Sequence, residues 1–346
     1  MLLITGILAT LLIVLIGTYL WQIQKSYDFF LRRNIPGPKP SLFFGNYLEV
    51  IRNKGSVFVV KQWTKKYGRI FGYFEGHTPI LVVSDPDILQ DIFIKSFSKF
   101  HSRRPSPFVD PNAKVVSLFN SIGLRWKRQR FVLNPTFSSV KLKQMSPLIQ
   151  HSIQMFMSKL NEYCDKNESF DIFTFYKRFT MDTIWSCGFG LDTDMQNNPH
   201  DPYLINSQKV FQRNALRRVA FLLVLLVTEL KPILVKVFRT LSIGINLIRQ
   251  CIPATKRLME GNPVLWITKQ ADEMIEKRKQ IGHTGRTDIL QLMIDSMSDS
   301  DSIDDHSGSH EKTDDNEEIE APLVRKITKH EISANVFLFS KSIVFT

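Results

Sequence analysis

The sequence predicts a mostly α-helical protein with a small β-sheet near its N-terminus, and three observations carry that expectation. Helical patterns dominate from Lys141 to about Trp185, with further helical segments on either side. One stretch alone reads as paired strands: Arg69 to Glu75 and Thr78 to Ser84, aromatic and β-branched, separated by Gly76-His77 as in a hairpin. The composition is globular, with 43% hydrophobic and 23% charged residues among 346, enough for one large domain or two ordinary ones. Three Cys exclude a disulfide-stapled secreted scaffold and fit a reducing compartment.

Taken in order, Leu2 to Trp21 is a run of twenty residues without a charge, about 30 Å as a helix and matched to a hydrocarbon core. A cleavable signal peptide competes with this reading, but it expects a basic start and an apolar run of about 7 to 15 residues. Here Lys25, Arg32 and Arg33 follow the run and no base precedes it. Residues 1–24 are therefore expected to anchor the chain, with the body on the cytosolic side. Residues 25–40 form a basic, proline-rich hinge, in which Pro36, Pro38 and Pro40 forbid helix continuation. After the hairpin, Asp85-Pro86 is an N-cap with Pro at the first helical position, opening a helix through about Lys95.

A Ser, Arg and Pro-rich loop spans His101 to Pro111, and a short helix follows from about Leu124 to Leu133, ended by Asn134-Pro135. The long helical region breaks near Asp165 to Ser169, and the Asn197 to Pro202 turn leads into another helix. Val219 to Val227, nine apolar residues, is too short to span a bilayer and is either a core helix or an interfacial segment. Residues 295–320 hold eleven acidic side chains and one Lys, and read as a disordered loop. Thr328-Lys329-His330-Glu331 has capping-box spacing and opens an apolar helix.

The formal charge is +12, but the acidic loop contributes −10 and everything else +22. Such a body suits nucleic acid, an anionic membrane or an acidic partner protein. No nucleic-acid-binding signature accompanies the charge, so no nucleic-acid partner is expected. Cys-x-x-Cys, His-Glu-x-x-His, Walker and Gly-x-Ser-x-Gly motifs are all absent, and no metal site is expected from the scattered His. One cluster is more informative. Arg125-Trp126-Lys127-Arg128-Gln129-Arg130 places four bases and one Trp in six residues, and positions 126 and 130 share a helix face. It is either a solvated basic helix anchored by its Trp, or an anion clamp in which Trp126 Nε1–H and the Arg130 guanidinium donate to one carboxylate.

The order of short motifs decides how that cluster is read. The apolar anchor is followed by Ile35-Pro36-Gly37-Pro38, Gly45-Asn46, Lys65-Lys66-Tyr67-Gly68, Asp85-Pro86, Arg103-Arg104-Pro105, Trp126 to Arg130 and Pro135-Thr136-Phe137. Then come Met181-Asp182, Phe189-Gly190, Asn197-Asn198-Pro199, Asp201-Pro202 and Asp288 to Met293. In this order they resemble the N-terminal portion of a microsomal cytochrome P-450, of the branch containing the drug-metabolising 3A enzymes. The resemblance implies a partial P-450 catalytic domain over 41–339 in the endoplasmic-reticulum membrane, with heme b as cofactor.

It further implies that Trp126, Arg130 and Arg103 contact heme propionates, and that Phe108 and Phe119 wall a pocket for a lipophilic substrate. By the same resemblance Val219 to Val227 covers that pocket and dips into membrane lipid. Arg125, Lys127 and Arg128 would lie on the face that docks NADPH-cytochrome P-450 reductase.

The resemblance also marks departures. Residues 340–346 do not continue the family's oxygen-activating Ala-Gly-x-Asp/Glu-Thr segment. The family's Phe-x-x-Gly-x-Arg-x-Cys-x-Gly ligand motif is absent, and Cys164, Cys187 and Cys251 lie in unrelated contexts. The expectation is a truncated heme-thiolate monooxygenase family member, inactive by itself; the alternative is a non-catalytic, membrane-tethered fragment that binds reductase or lipid.

Overall fold

The computed structural model describes residues 2–53, 55–104, 112–166, 169–211, 231–252, 262–282, 288–298 and 325–342, with isolated positions among the rest. The chain divides into two compact units, Met1–His101 with Asn214–Leu241, and Ser102–Arg213 with Ser242–Thr346.

The first unit begins with α1 (Leu2–Ser26), a 25-residue helix long and apolar enough to cross a membrane. Its residues from Leu3 to Ile16 are exposed, while Ile23 near its end is buried. Two short helices follow, α2 (Tyr47–Arg52) and α3 (Ser56–Tyr67). Next come strands β1 (Ile70–Glu75) and β2 (Thr78–Val83), which pair antiparallel from Ile70 opposite Val83 to Glu75 opposite Thr78. The two-residue turn between them needs Gly76, which stands at φ +59°. Ile23, Tyr27, Phe30 and Phe74 form one small core; Val59, Trp63, Phe71 and Tyr73 form another.

The proline-rich segment lies against this hairpin: Gly72 N–H donates to Pro36 O at 2.9 Å, and any Cβ on Gly37 would overlap the Gly72 carbonyl. The Gly45-Asn46 pair is joined to the hairpin as well, with Phe74 N–H donating to Asn46 Oδ1 at 2.9 Å.

Asp85 caps the next helix as its side chain predicts, accepting from Asp87 N–H at 3.1 Å and Ile88 N–H at 3.4 Å. The helical segment reaches Lys95 as expected, but not as one α-helix. α4 (Pro86–Gln90) passes into a π-helical turn, Asp91–Lys95, closed by Ser96 N–H on Asp91 O at 2.7 Å. One widened turn is invisible to periodicity over so few residues. α5 (Phe97–Phe100) ends this part of the unit.

The second unit is helical. It contains α6 (Gly123–Leu133), α7 (Ser139–Asp165), α8 (Ile172–Phe189) and α9 (Pro202–Phe211). After α10 (Lys231–Cys251), whose residues are shared between the two units, come α11 (Pro263–Ile281), α12 (Ile289–Asp295) and α13 (Lys329–Ser342). Trp185, Phe189, Ile267, Ile275, Leu290, Met293, Ile332 and Val336 make the core, and Trp185 packs on Tyr203 with ring centroids 4.5 Å apart and planes tilted by 52°.

Helix α13 takes a central place: from Glu331 to Val336 every residue is buried, polar Glu331, Ser333 and Asn335 included, and Ser340 is buried again a turn beyond. Asp182, on α8, accepts from Thr193 Oγ1 at 2.8 Å and Met195 N–H at 2.9 Å. Burial pushes its carboxyl up to about 6, against the pull of those two donors and with help from Asp194 and Asp201.

Several expectations fall outside the described residues. They are Phe108, most of the acidic loop 295–320, residues 343–346, and positions 220, 221, 225 and 227 of the apolar run.

Candidate functional site

The basic cluster lies on α6, and the helix sorts its charges onto two faces. Positions 125, 128, 129 and 132 follow the i, i+3, i+4, i+7 spacing of a buried stripe. Arg128, Gln129, Val132 and Leu133 are indeed buried, whereas Arg130 is exposed and Trp126 and Lys127 are half-buried.

The inner face closes on Glu331, at the start of α13. Arg128 grips its carboxylate bidentately, Nη2 on Oε1 at 2.8 Å and Nη1 on Oε2 at 2.9 Å, with side chains only 2% and 1% exposed. Arg125 Nε adds a bond to Oε1 at 2.7 Å. The predicted capping box is present in both directions: Thr328 N–H donates to Glu331 Oε2 at 3.0 Å, and Glu331 N–H to Thr328 Oγ1 at 3.2 Å. Burial by itself would raise the Glu331 carboxyl, but the Arg128 bonds and charge, the Thr328 N–H and Arg125 outweigh it and hold it below its ordinary value.

Two guanidiniums face one carboxylate, so the surplus positive charge needs acceptors. Backbone carbonyls supply them: Arg125 Nη1 and Nη2 reach Ala113 O at 2.7 Å and Lys114 O at 3.0 Å, and Arg128 Nη1 reaches Lys326 O at 2.9 Å. A neutral chain runs beside the ionic one. Gln129 Nε2 donates to Val116 O at 3.1 Å, Asn335 Nδ2 to Gln129 Oε1 at 3.2 Å, and Leu118 N–H to Asn335 Oδ1 at 2.8 Å. On its far side α13 is held to α11 by Lys329 on Glu276 at 2.6 Å and by Ser333 on Asp272.

Arg128 is buried and Arg125 is 17% exposed, and both turn their charge onto Glu331. The outer face keeps the other donors. Among the described residues Arg130 makes no ion pair, and Arg103, also exposed, lies over the Phe119 ring at 5.3 Å. Phe119 is itself 54% exposed. Exposed guanidiniums and an indole N–H form a donor set suited to carboxylates.

Glu331, Gln129 and Asn335 were not foreseen as site residues. The sequence signal for the first was its capping-box spacing, and for Gln129 the polar residues standing in a core stripe.

Residues 35–321 match the family model for cytochrome P450, here written P-450. The chain belongs to the cytochrome P-450 family. It is similar to cytochrome P-450 3A29 of Sus scrofa, 33% identical over 303 residues, which is 87% of this chain and 54% of that protein. Cytochrome P-450 3A28 of Bos taurus gives the same identity and coverage. Cytochrome P-450 3A11 of Mus musculus is 31% identical over 277 residues, 80% of this chain and 51% of that one. The chain thus spans about half the length of the curated relatives it matches.

P-450 membership implies heme, and the donor chemistry of the outer α6 face fits the propionate edge of that group. Of the three Cys, Cys187 is buried with Sγ 3.9 Å from Met145 O, and Cys164 and Cys251 are exposed. None of them stands in the family's thiolate motif.

Proposed function

We propose that this chain is the anchoring and propionate-holding part of a membrane-bound heme-thiolate monooxygenase that hydroxylates lipophilic substrates. One observation carries the reading: α6 turns Arg125 and Arg128 inward onto Glu331 and leaves Arg130 exposed, on the face it shares with Trp126 by helix spacing. Bound heme would supply oxygen activation, with electrons delivered by NADPH-cytochrome P-450 reductase. The chain's own residues bind and orient it. Arg130 and Trp126 would hold one propionate, and Arg103, from the loop before α6, a second. Phe119, beneath Arg103, offers an apolar wall beside the same edge.

Helix α1 supports anchoring in the endoplasmic-reticulum membrane with the body on its cytosolic face, since the bases Lys25, Arg32 and Arg33 follow the apolar run. Lys127, half-buried on α6, is the base of that cluster put forward for reductase docking. Residues 1–346 by themselves carry out no turnover in this reading, because none of their Cys stands in the ligand motif whose thiolate drives O–O cleavage.

The test uses the full chain in detergent, titrated with protoporphyrin IX and with its dimethyl ester, which lacks the carboxylates. The free acid should bind more tightly. Arg130→Gln and Trp126→Phe should each cut that preference about tenfold, the worth of a charge-assisted hydrogen bond. Equal binding of acid and ester would remove the propionate reading. A thiolate-type Soret band from the hemin-loaded, reduced chain under carbon monoxide would overturn the absence of turnover.

A further inference from the structure

A short helix with bases at positions 125, 127, 128 and 130 has no intrinsic reason to present one of them rather than another. Rotation of α6 by one residue, about 100°, would exchange inner and outer charges. Val132 and Leu133 favour the observed roll by burying apolar surface, but two guanidiniums must enter the interior with them. A buried guanidinium is tolerated only when paired and hydrogen-bonded. Glu331 meets both: it accepts from Arg125 Nε, Arg128 Nη1 and Nη2, and from Thr328 N–H in the cap of its own helix. The two arginines in turn hold the carbonyls of Ala113, Lys114 and Lys326. One side chain of α13 therefore sets the roll of α6 and the course of the segment that leads to Phe119.

We infer that Glu331 is a positioning residue for the outward donor set of α6, fixing which bases of the cluster face an anionic ligand. This rests on the propionate reading given above. Glu331 touches no ligand itself; it acts through Arg125 and Arg128. The inference predicts that neutralising a buried carboxylate on a different helix from Arg130 weakens recognition of carboxylates outside.

The same pair of porphyrins tests it on the full chain. Glu331→Gln should reduce the preference for protoporphyrin IX over its dimethyl ester about tenfold or more, as loss of supporting partners does at other sites. If the parent chain shows no preference, the propionate reading fails and this one with it. If the parent shows a preference that Arg130→Gln removes and Glu331→Gln leaves intact, this inference alone fails.

Because Glu331→Gln strands the buried guanidinium of Arg128 and the half-buried one of Arg125, a second variant combines Arg128→Met with Glu331→Leu and fills the space of that pair with apolar atoms. A restored melting temperature with the preference still lost supports positioning by the ion pair. Restoration of both overturns it, since packing alone would then set the roll.

Discussion

Arg128→Met should lower the unfolding free energy by about 3 kcal/mol, the lower end of the cost of breaking a buried ion pair. The lower end applies because Arg125 Nε and Thr328 N–H still reach the Glu331 carboxylate. Arg130→Met, two positions along the same helix, should change stability by no more than about 0.5 kcal/mol, as for an exposed site without a partner. Urea titration of the helical circular dichroism signal in detergent measures both, and equal effects would contradict the two-faced reading of α6.

The pH dependence sharpens the test. In the parent chain the Glu331 carboxyl lies below its ordinary 4.5, so its contribution is complete above that pH and is lost as pH falls through the depressed value. In Arg128→Met burial is left with less to oppose it, and the carboxyl rises. A raised carboxyl contributes at low pH and loses that contribution as pH increases. The stability gap between parent and variant should therefore narrow in acid and widen towards neutrality. Asp182, pushed up to about 6, works in the raised sense in both proteins: its contribution is fully present below 3.8, declines as pH rises towards 6, and cancels in the comparison.

How much of this was legible beforehand depends on the range of each interaction. The hairpin, the Asp85 cap and the Thr328–Glu331 box are contacts over two to thirteen residues, and their residue types state them directly. That positions 126 and 130 share a face of α6 is likewise a matter of helix spacing. The inner half of the site is different. Arg128 and Glu331 are 203 residues apart, and Gln129 and Asn335 are 206. A base on a short helix reads as solvated because Arg is rarely fully buried. What could have overruled that was the stripe itself, in which Arg128 and Gln129 occupy positions that lead on to Val132 and Leu133. The capping box accounted for Glu331 so completely that its carboxylate's second set of partners left no further trace in the local sequence.

Gly190→Ala should cost about 4 kcal/mol, and the reason lies in another buried ion pair. Gly190 ends α8 in the left-handed region, φ +64° and ψ +28°, and its N–H donates to Ser186 O at 3.0 Å. That conformation alone costs an L side chain about 1 kcal/mol. The larger part is steric. A Cβ there would overlap Arg278 Nη2 and stand 2.6 Å from Asp288 Oδ2.

Those atoms belong to a bidentate pair, Nη1 on Oδ1 at 2.8 Å and Nη2 on Oδ2 at 2.7 Å, with Asp288 fully buried. Arg278 Nη2 also holds Phe189 O at 2.8 Å, and Asp288 caps α12 through Gln291 N–H at 2.9 Å. The missing side chain therefore gives α8, α11 and α12 room to meet around one charge pair, and these helices pack the core that also holds α13. A double-mutant cycle separates strain from displacement. If Gly190→Ala acts by pushing the pair apart, adding Arg278→Leu should cost markedly less in the Ala background than in the parent, with a coupling of about 1–3 kcal/mol. Strictly additive losses would mean that backbone strain, not the ion pair, requires glycine there.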